Sequence, residues 1–457
     1  MFSSFRNIFN VPELRRRLVI TLGFLVVYRL GCLVAVPGIN TAALEQWMKA
    51  ASSGMLGGVL GIMGLFTGGA FQQMAVFGLG VMPYISASII IQLLTTSVPY
   101  LEALAKEGEA GRKKIRRIER YLTVGLCLFQ SYVMVKWIEA YGPRMGAGEL
   151  SIVSPYIKPL QFEIMALLAM TAGSIFLMWV GEQMTEYGIG NGISLIIMAG
   201  IIARAPVAVY ELLLQVDWKF EGGQGKFGIL YLLMLLTLLF AIIVAVVLIT
   251  QAQRRIPMQQ AKQTRGRRVI GGQRHYMPLR VNQAGVIPII FASSLLVFPQ
   301  MLLNALSMAL PALGPVAESF RYNKGFVYIS LYAMLVIFFC FFWTAVTFNP
   351  TQMSENLRDY GSFIPGIRPG KHTADHLEQV MMRITLAGSA FLAVIAIVPL
   401  LMSNISGLER NIAYFYGGTG LLIVVGVALD LVEQIETHLL MRHYEGFMRK
   451  GRIRGRR

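Results

Sequence analysis

The chain has 457 residues, of which 55% are apolar and 14% are charged, and its mean hydropathy is +0.59. A soluble globular domain is about 45–50% apolar and about a quarter charged, so this composition excludes an ordinary soluble protein. It predicts a single all-α, polytopic membrane domain. Cys32, Cys127 and Cys340 all lie within apolar runs, where a cysteine packs as a small hydrophobe, and predict neither a disulfide framework nor a metal site.

Long apolar runs predict about ten transmembrane helices, since a span needs about 20 mostly apolar residues. The fifth run is short. The predicted helices are 18–36, 75–98, 121–138, 164–180, 192–203, 228–250, 284–303, 326–348, 384–402 and 414–431.

The basic residues predict the orientation. With a cytoplasmic amino terminus, 30 of the 41 Lys and Arg residues lie on the cytoplasmic side, 10 lie on the other side, and Arg29 lies within helix 1. The positive-inside rule therefore places both termini in the cytoplasm. Dropping or adding one helix between the two basic loops, 106–120 and 254–280, would put them on opposite faces, and the even count of ten is consistent with both being cytoplasmic.

Two nine-residue stretches of the sequence match each other. Residues 80–88, in helix 2, and residues 285–293, at the start of helix 7, are identical at six of nine positions. Helices five apart run in opposite directions, so the match predicts two five-helix halves of inverted topology with the functional site between them. A coincidence of common membrane-helix residues is the alternative. Pro83 and Pro288 are expected to kink their helices, as suits a gate.

Charged residues are scarce within the predicted spans. Glu163, Arg204, Asp430 and Glu433 lie near predicted helix ends, from which they reach the headgroups, and Arg29 is interpreted as structural. An inverted-repeat secondary transporter of a small solute, the alternative function, needs a charged or ion-coordinating site at the midplane. The sequence also lacks HExxH, P-loop and GxSxG motifs, so neither an enzymatic activity nor a cofactor is predicted.

A glycine-rich apolar stretch, residues 54–80, precedes helix 2. An exposed outside loop would leave this apolar surface in water. Non-helical backbone at membrane depth is tolerated only where it is buried in protein or lines a cavity. The stretch therefore predicts a short re-entrant or plugging segment.

Several motifs together resemble the bacterial SecY family, the central subunit of the protein-conducting channel. They are residues 13–17, 36–39, 80–93, 188–194, 285–293 and 364–370. The resemblance implies a channel in the bacterial cytoplasmic membrane that translocates unfolded preproteins and releases hydrophobic segments laterally into lipid. It also implies one membrane domain over residues 1–457, with a first half at 1–210, a second half at 211–440 and a basic cytoplasmic tail at 441–457.

The resemblance implies three sets of channel residues. The first is an aliphatic waist that dewets and so blocks ions, yet offers no hydrogen bonds to hold a passing chain; its members would be Val81, Ile85, Ile193, Ile197, Ile290 and Ile423. The second is a plug over residues 55–69, chiefly Met55, Leu56, Gly57, Gly58, Val59, Leu60, Gly61, Ile62, Met63, Gly64, Leu65 and Phe66. The third is a lateral gate between helices 2 and 7 with Ser86, Gln92, Asn282 and Ser293. Taken alone, isoleucines at helical spacing also fit packing or lipid contact.

Two docking loops, residues 254–280 and the loop around Arg368, are predicted on the cytoplasmic face. By resemblance they would dock the ribosome and the motor ATPase SecA, through Arg254, Arg255, Arg265, Arg267, Arg268 and Arg368. Positive-inside bias or contact with anionic membrane lipid explains the same charge. SecE and SecG subunits are the other implied partners. Gln260, Gln263, Gln283 and the pair Arg358 and Asp359 depart from the family pattern, which weakens the docking assignments at residue level.

Overall fold

The computed structural model is mostly helical and describes residues 11–53, 63–64, 66–141, 152–154, 156–216, 228–260, 263–265, 268–270, 274–309, 314–320, 325–405 and 418–450. In chain order its elements are α1 (Pro12–Gly31), α2 (Thr41–Ser53), α3 (Met82–Ser97), α4 (Pro99–Lys106), α5 (Glu109–Tyr141), α6 (Pro159–Tyr187), α7 (Gly192–Gln215), α8 (Ile229–Gln251), β1 (Gln253–Gln260), β2 (Gln263–Arg265), β3 (Arg268–Ile270), β4 (Arg274–Arg280), α9 (Ile287–Ala309), α10 (Gly314–Ser319), α11 (Phe326–Thr347), α12 (Pro350–Asp359), β5 (Ser362–Phe363), α13 (Lys371–Ile405) and α14 (Gly418–Lys450).

A helix lies at each of the ten predicted positions. Within the described ranges, five helical stretches are long and apolar enough to cross a membrane, and α3 with α4, bent by 96°, makes a sixth if the pair is one span. The all-α prediction is confirmed. Helices α5, α13 and α14 have 33, 35 and 33 residues. At about 1.5 Å per residue they exceed the roughly 30 Å of a bilayer core.

Several predicted boundaries differ from the structure, and two of them bear on the site. Helix 2 begins at Met82 rather than at residue 75, because residues 75–81 form successive turns. The short fifth helix is in fact α7, with 24 residues and Pro206 inside it. The predicted helix ended before Arg204, which was interpreted as lying near a helix end. In the structure the residues on either side of Arg204 and Pro206 form one continuous helix.

The first of two compact units comprises Met1–Leu213, Arg410–Phe415 and Val427–Arg457. Within it, α3 packs on α5, and α5 packs on α6. One of its apolar clusters includes Trp47 of α2 with Phe162 and Met170 of α6, all 0% exposed. Beside the end of α1, the amide of Val36 donates to the carbonyl of Met74 (2.9 Å). The chain between α2 and α3 therefore returns along α1.

The second unit comprises Leu214–Glu409 and Tyr416–Gly426. Helix α13 packs on α8, α11 and α12, and α9 packs on α11. A three-stranded antiparallel sheet, in the order β4-β1-β5, adjoins these helices. Ile256 of β1 and Met277 of β4 join Leu377 and Met381 of α13 in one buried cluster. The predicted loop after helix 6 is therefore a hairpin fixed by its apolar face.

Candidate functional site

The two copies of the sequence repeat have the same local structure. Gly80 (φ +59°) and Gly285 (φ +62°) both adopt the left-handed conformation, each two residues before its helix, α3 or α9, begins. Pro83 and Pro288 occupy the second position of these helices, where a missing N–H leaves no intrahelical bond unmade. The predicted kinks at these prolines are therefore wrong, because both prolines start a helix.

The six residues of the predicted waist are divided between the two units. Val81, Ile85, Ile193 and Ile197 belong to the first unit, and Ile290 and Ile423 belong to the second. Four of them are buried, with at most 8% of the residue exposed: Val81, Ile197, Ile290 and Ile423. Ile85 and Ile193 are half-buried.

In each unit, two of the predicted waist residues lie near one another. On α3, the amide of Ile85 donates to the carbonyl of Val81 at 3.1 Å, so the two side chains lie one turn apart on one face. In the second unit, Gly426 of α14 packs on Val286, and a Cβ at Gly426 would lie 2.4 Å from Val286 Cγ1. That contact is about one turn from both Ile423 and Ile290. A common ring of all six residues stays a prediction.

The four predicted gate residues are on or beside α3 and α9. Asn282 Nδ2 donates to the carbonyl of Gly285 at 3.0 Å, and Ser293 Oγ donates to the carbonyl of Ile290 at 2.9 Å. Ser86 and Gln92 are half-buried. Asn282 therefore stabilises the glycine turn that precedes α9. A role of these four residues in gating stays a prediction.

Polar contacts between α3, α5 and α6 were missed by the sequence reasoning. Glu119 is 8% exposed and its carboxyl group lies near Tyr84 and Ser88 of α3. Arg120 forms a two-point ion pair with Glu182 of α6, at 3.0 and 2.8 Å. The apolar run starting at residue 121 placed Glu119 and Arg120 in a loop. Because α5 begins at Glu109, both are helical and face neighbouring helices.

Only part of the predicted plug, residues 63–64 and 66–69, falls within the described residues; the rest of 55–69 lies outside them. Phe66 is 3% exposed. Residues 63–64 and 66–72 are here called the stem. Arg204 hydrogen-bonds to Gln72 Oε1 in the stem from the middle of α7. The interpretation of Arg204 as a snorkelling residue at a helix end is therefore wrong.

The two predicted docking loops meet in one sheet. Strand β5, which precedes the loop around Arg368, pairs with β1 through Gln259↔Phe363 and Gln260↔Ser362. Arg254, Arg255 and Arg368 are all exposed. Loop residues 266–267, which include Arg267, lie outside the described residues, and Arg265 and Arg268 are register partners on β2 and β3.

The loop around Arg368 is fixed by its backbone. Gly366 (φ +84°) and Gly370 (φ +101°) adopt left-handed conformations on either side of it. Thr373 Oγ1 donates to the carbonyl of Arg368 at 2.9 Å, and Ser354 Oγ donates to the carbonyl of Gly370 at 2.6 Å. Because these bonds use main-chain oxygens, the guanidinium of Arg368 remains available to a partner.

The chain is similar to known proteins in sequence and in fold. The sequence model of SecY matches residues 75–432. The protein translocase subunit SecY of Thermotoga maritima is 41% identical over 458 residues, covering 100% of both chains. The chain belongs to the SecY family. The protein translocase subunit SecY of Streptomyces griseus is 42% identical over 454 residues, covering 98% of this chain and 100% of the relative.

Solved structures share the SecY-family fold at lower identity. One, described as a protein conducting channel, has a TM-score of 0.60 at 19% identity and covers 93% of this chain and 92% of its own. Another, from the idle yeast Ssh1 complex bound to the yeast 80S ribosome, has a TM-score of 0.56 at 13% identity and covers 92% and 89%. This member of the SecY family is a multi-pass membrane protein.

Proposed function

We propose that this chain forms the protein-conducting channel of a bacterial translocase, through which unfolded preproteins cross the cytoplasmic membrane and hydrophobic segments leave sideways into lipid. The match to protein translocase subunits at 41–42% identity along the whole chain carries the proposal. The chain has no nucleotide-binding motif of its own. The energy for transport therefore comes from a partner or from protein synthesis.

The waist of the channel is formed by Val81, Ile85, Ile193, Ile197, Ile290 and Ile423. Support comes from the aliphatic character of all six and from the equivalent places of Ile85 and Ile290 in the two repeats. An apolar constriction excludes water and ions when idle. It has no donors or acceptors with which to hold a polypeptide, so chains of many sequences slide through.

Helices α3 and α9 form the lateral gate, with Ser86, Gln92, Asn282 and Ser293 along it. The shared glycine turn and proline start of these two helices support the assignment. Residues 55–69 form the plug, and the half boundaries at 210 and 440 divide the single membrane domain.

The exposed arginines near the sheet formed by β4, β1 and β5 dock cytoplasmic partners, namely the ribosome and SecA. Guanidinium groups suit RNA phosphates and carboxylates, because they donate in a planar fork. The yeast neighbour bound to a ribosome supports the ribosomal assignment. The SecE and SecG subunits and anionic lipid complete the partners, and the basic bias of the loops supports cytoplasmic termini.

Crosslinking to a stalled preprotein tests the proposal. Ile290→Cys is placed in a cysteine-free chain, and a preprotein that carries a thiol-reactive maleimide in its polar mature region is stalled midway. Leu295→Cys is the matched control, because Leu295 lies on the same helix and is 46% exposed. We expect adducts at residue 290 and few at residue 295. Equal yields at both positions would contradict a central waist.

A further inference from the structure

Two arginines from different helices converge on the stem. Arg29 Nη1 of α1 donates to the carbonyl of Gly68 at 3.0 Å. Arg204 Nη2 of α7 donates to the side-chain oxygen of Gln72. Both contacts lie within the first compact unit.

Glycines let the guanidinium of Arg204 and helix α7 approach the stem. A Cβ at Gly64 would lie 2.7 Å from Arg204 Nη1, and a Cβ at Gly68 would lie 2.9 Å from the Cα of Gly200. Gly68 also has a φ of +62°, which a larger residue adopts only with strain. The stem is therefore shaped to receive the arginine and the helix that carries it.

The main-chain carbonyl oxygens of the stem, which carry partial negative charge, attract the arginines. Its turn is closed by hydrogen bonds from Thr67 N to Met63 O (3.1 Å) and from Gly69 N to Gly64 O (2.9 Å). Carbonyl groups at the carboxyl end of a helical turn attract cations. Arg204 is partly buried and Arg29 is exposed. A hydrogen bond is electrostatically stronger where it is more buried, so Arg204 contributes more than Arg29.

We propose that Arg204 and Arg29 are positioning residues that latch the stem to α7 and α1, and so set how often the carboxyl-terminal anchor of the plug detaches. The inference rests on the proposed function, because it names the residues that hold the closed state of that channel. Gln72 is the side-chain acceptor of the latch.

The native Cys32 reports on the latch. Its Sγ lies 3.9 Å from the carbonyl of Thr67 in the stem, and the residue is 2% exposed. In a chain with Cys127→Ala and Cys340→Ala, Cys32 is the remaining thiol. The rate at which a water-soluble methanethiosulfonate labels it in purified, reconstituted protein measures detachment of the stem without any preprotein.

A second single-cysteine chain separates local detachment from unfolding. Cys127 lies in the apolar cluster of the same unit and is 0% exposed. A chain that keeps Cys127, with Cys32→Ala and Cys340→Ala, is labelled when that unit unfolds. A latch defect raises the labelling rate of Cys32 alone.

Adjacent glutamines provide a matched pair of variants. Gln72→Ala removes the acceptor of Arg204, whereas Gln73→Ala changes an exposed neighbour. We expect Gln72→Ala to label Cys32 about ten times faster, as loss of about 1.4 kcal/mol from one charge-assisted bond produces. Gln73→Ala should leave the rate unchanged. The labelling rate of Cys32 should rise more in Arg204→Gln than in Arg29→Gln. The rate in Arg204→Lys should lie between the rate in Arg204→Gln and the rate in the protein with the native Arg204.

The outcomes separate the latch from the proposed function. Unchanged Cys32 labelling in Gln72→Ala and Arg204→Gln, or equal acceleration at Cys32 and Cys127, overturns the latch. If labelling responds as expected while the crosslinking to a stalled preprotein fails, the latch stands and the proposed function falls. If labelling is unchanged while crosslinking succeeds, the proposed function stands and the latch falls.

Discussion

Substituting alanine for the two repeat glycines tests whether the repeat is structural. Gly80 and Gly285 share a left-handed conformation, at φ +59° and +62°. They differ in their surroundings. A Cβ at Gly80 would lie 3.0 Å from Thr67 Cγ2, whereas a Cβ at Gly285 would meet no atom within 4 Å.

The geometry gives different magnitudes for the two substitutions. Gly285→Ala bears only the cost of a left-handed alanine, about 1 kcal/mol of the free energy of unfolding. Gly80→Ala bears that cost and also crowds Thr67 in the stem, so the total loss is about 2 kcal/mol. Asparagine tolerates the left-handed conformation better than alanine does, so Gly285→Asn should lose less than Gly285→Ala.

Thermal unfolding of the purified protein in detergent, followed by tryptophan fluorescence, measures these differences. We expect the melting temperature to fall in the order Gly285→Asn, Gly285→Ala, Gly80→Ala. A rise in melting temperature for Gly285→Ala would refute the reasoning, because it would mean that the residue simply favours helix and has no need of a positive φ.

Two further predictions concern the second unit. Leu377 lies in the cluster beneath the sheet and is 0% exposed, so Leu377→Ala should lower the free energy of unfolding by about 2–5 kcal/mol and lower the melting temperature. Leu386 is on the same helix and is 59% exposed, so Leu386→Ala should change the melting temperature little. Arg368→Ala should leave the melting temperature unchanged and abolish most SecA-driven export in vesicles. Lys371→Ala, at another exposed position, is the control. Normal export in Arg368→Ala would contradict the docking role.

The helices, the family and the translocation function were predicted from the sequence and are confirmed. Hydropathy determines where a span must lie, since lipid leaves few alternatives to a helix. Boundaries were less predictable. The predicted fifth helix ended before Arg204, but in the structure Arg204 lies in mid-helix and contacts Gln72, which is 132 positions away in the chain.

Long-range pairing also explains what was missed at the site. The ion pair between Arg120 and Glu182 and the sheet contact between Gln259 and Phe363 bring together residues with no periodic relation in the chain. The repeat, by contrast, was visible because both copies need the same turn residues. The role of its prolines was misread, since a proline starts a helix as readily as it bends one.

The ion leak of the idle channel tests the central claim most directly. Purified protein with Ile85→Ser, Ile197→Ser and Ile290→Ser together is placed in planar bilayers without partners, beside a control with Ile90→Ser and Leu295→Ser, two exposed positions on the same helices α3 and α9. The account predicts a steady ionic current through the first protein and a closed second protein, because polar side chains let the waist fill with water. If the first protein carried no more ionic current than the second, the account would be contradicted.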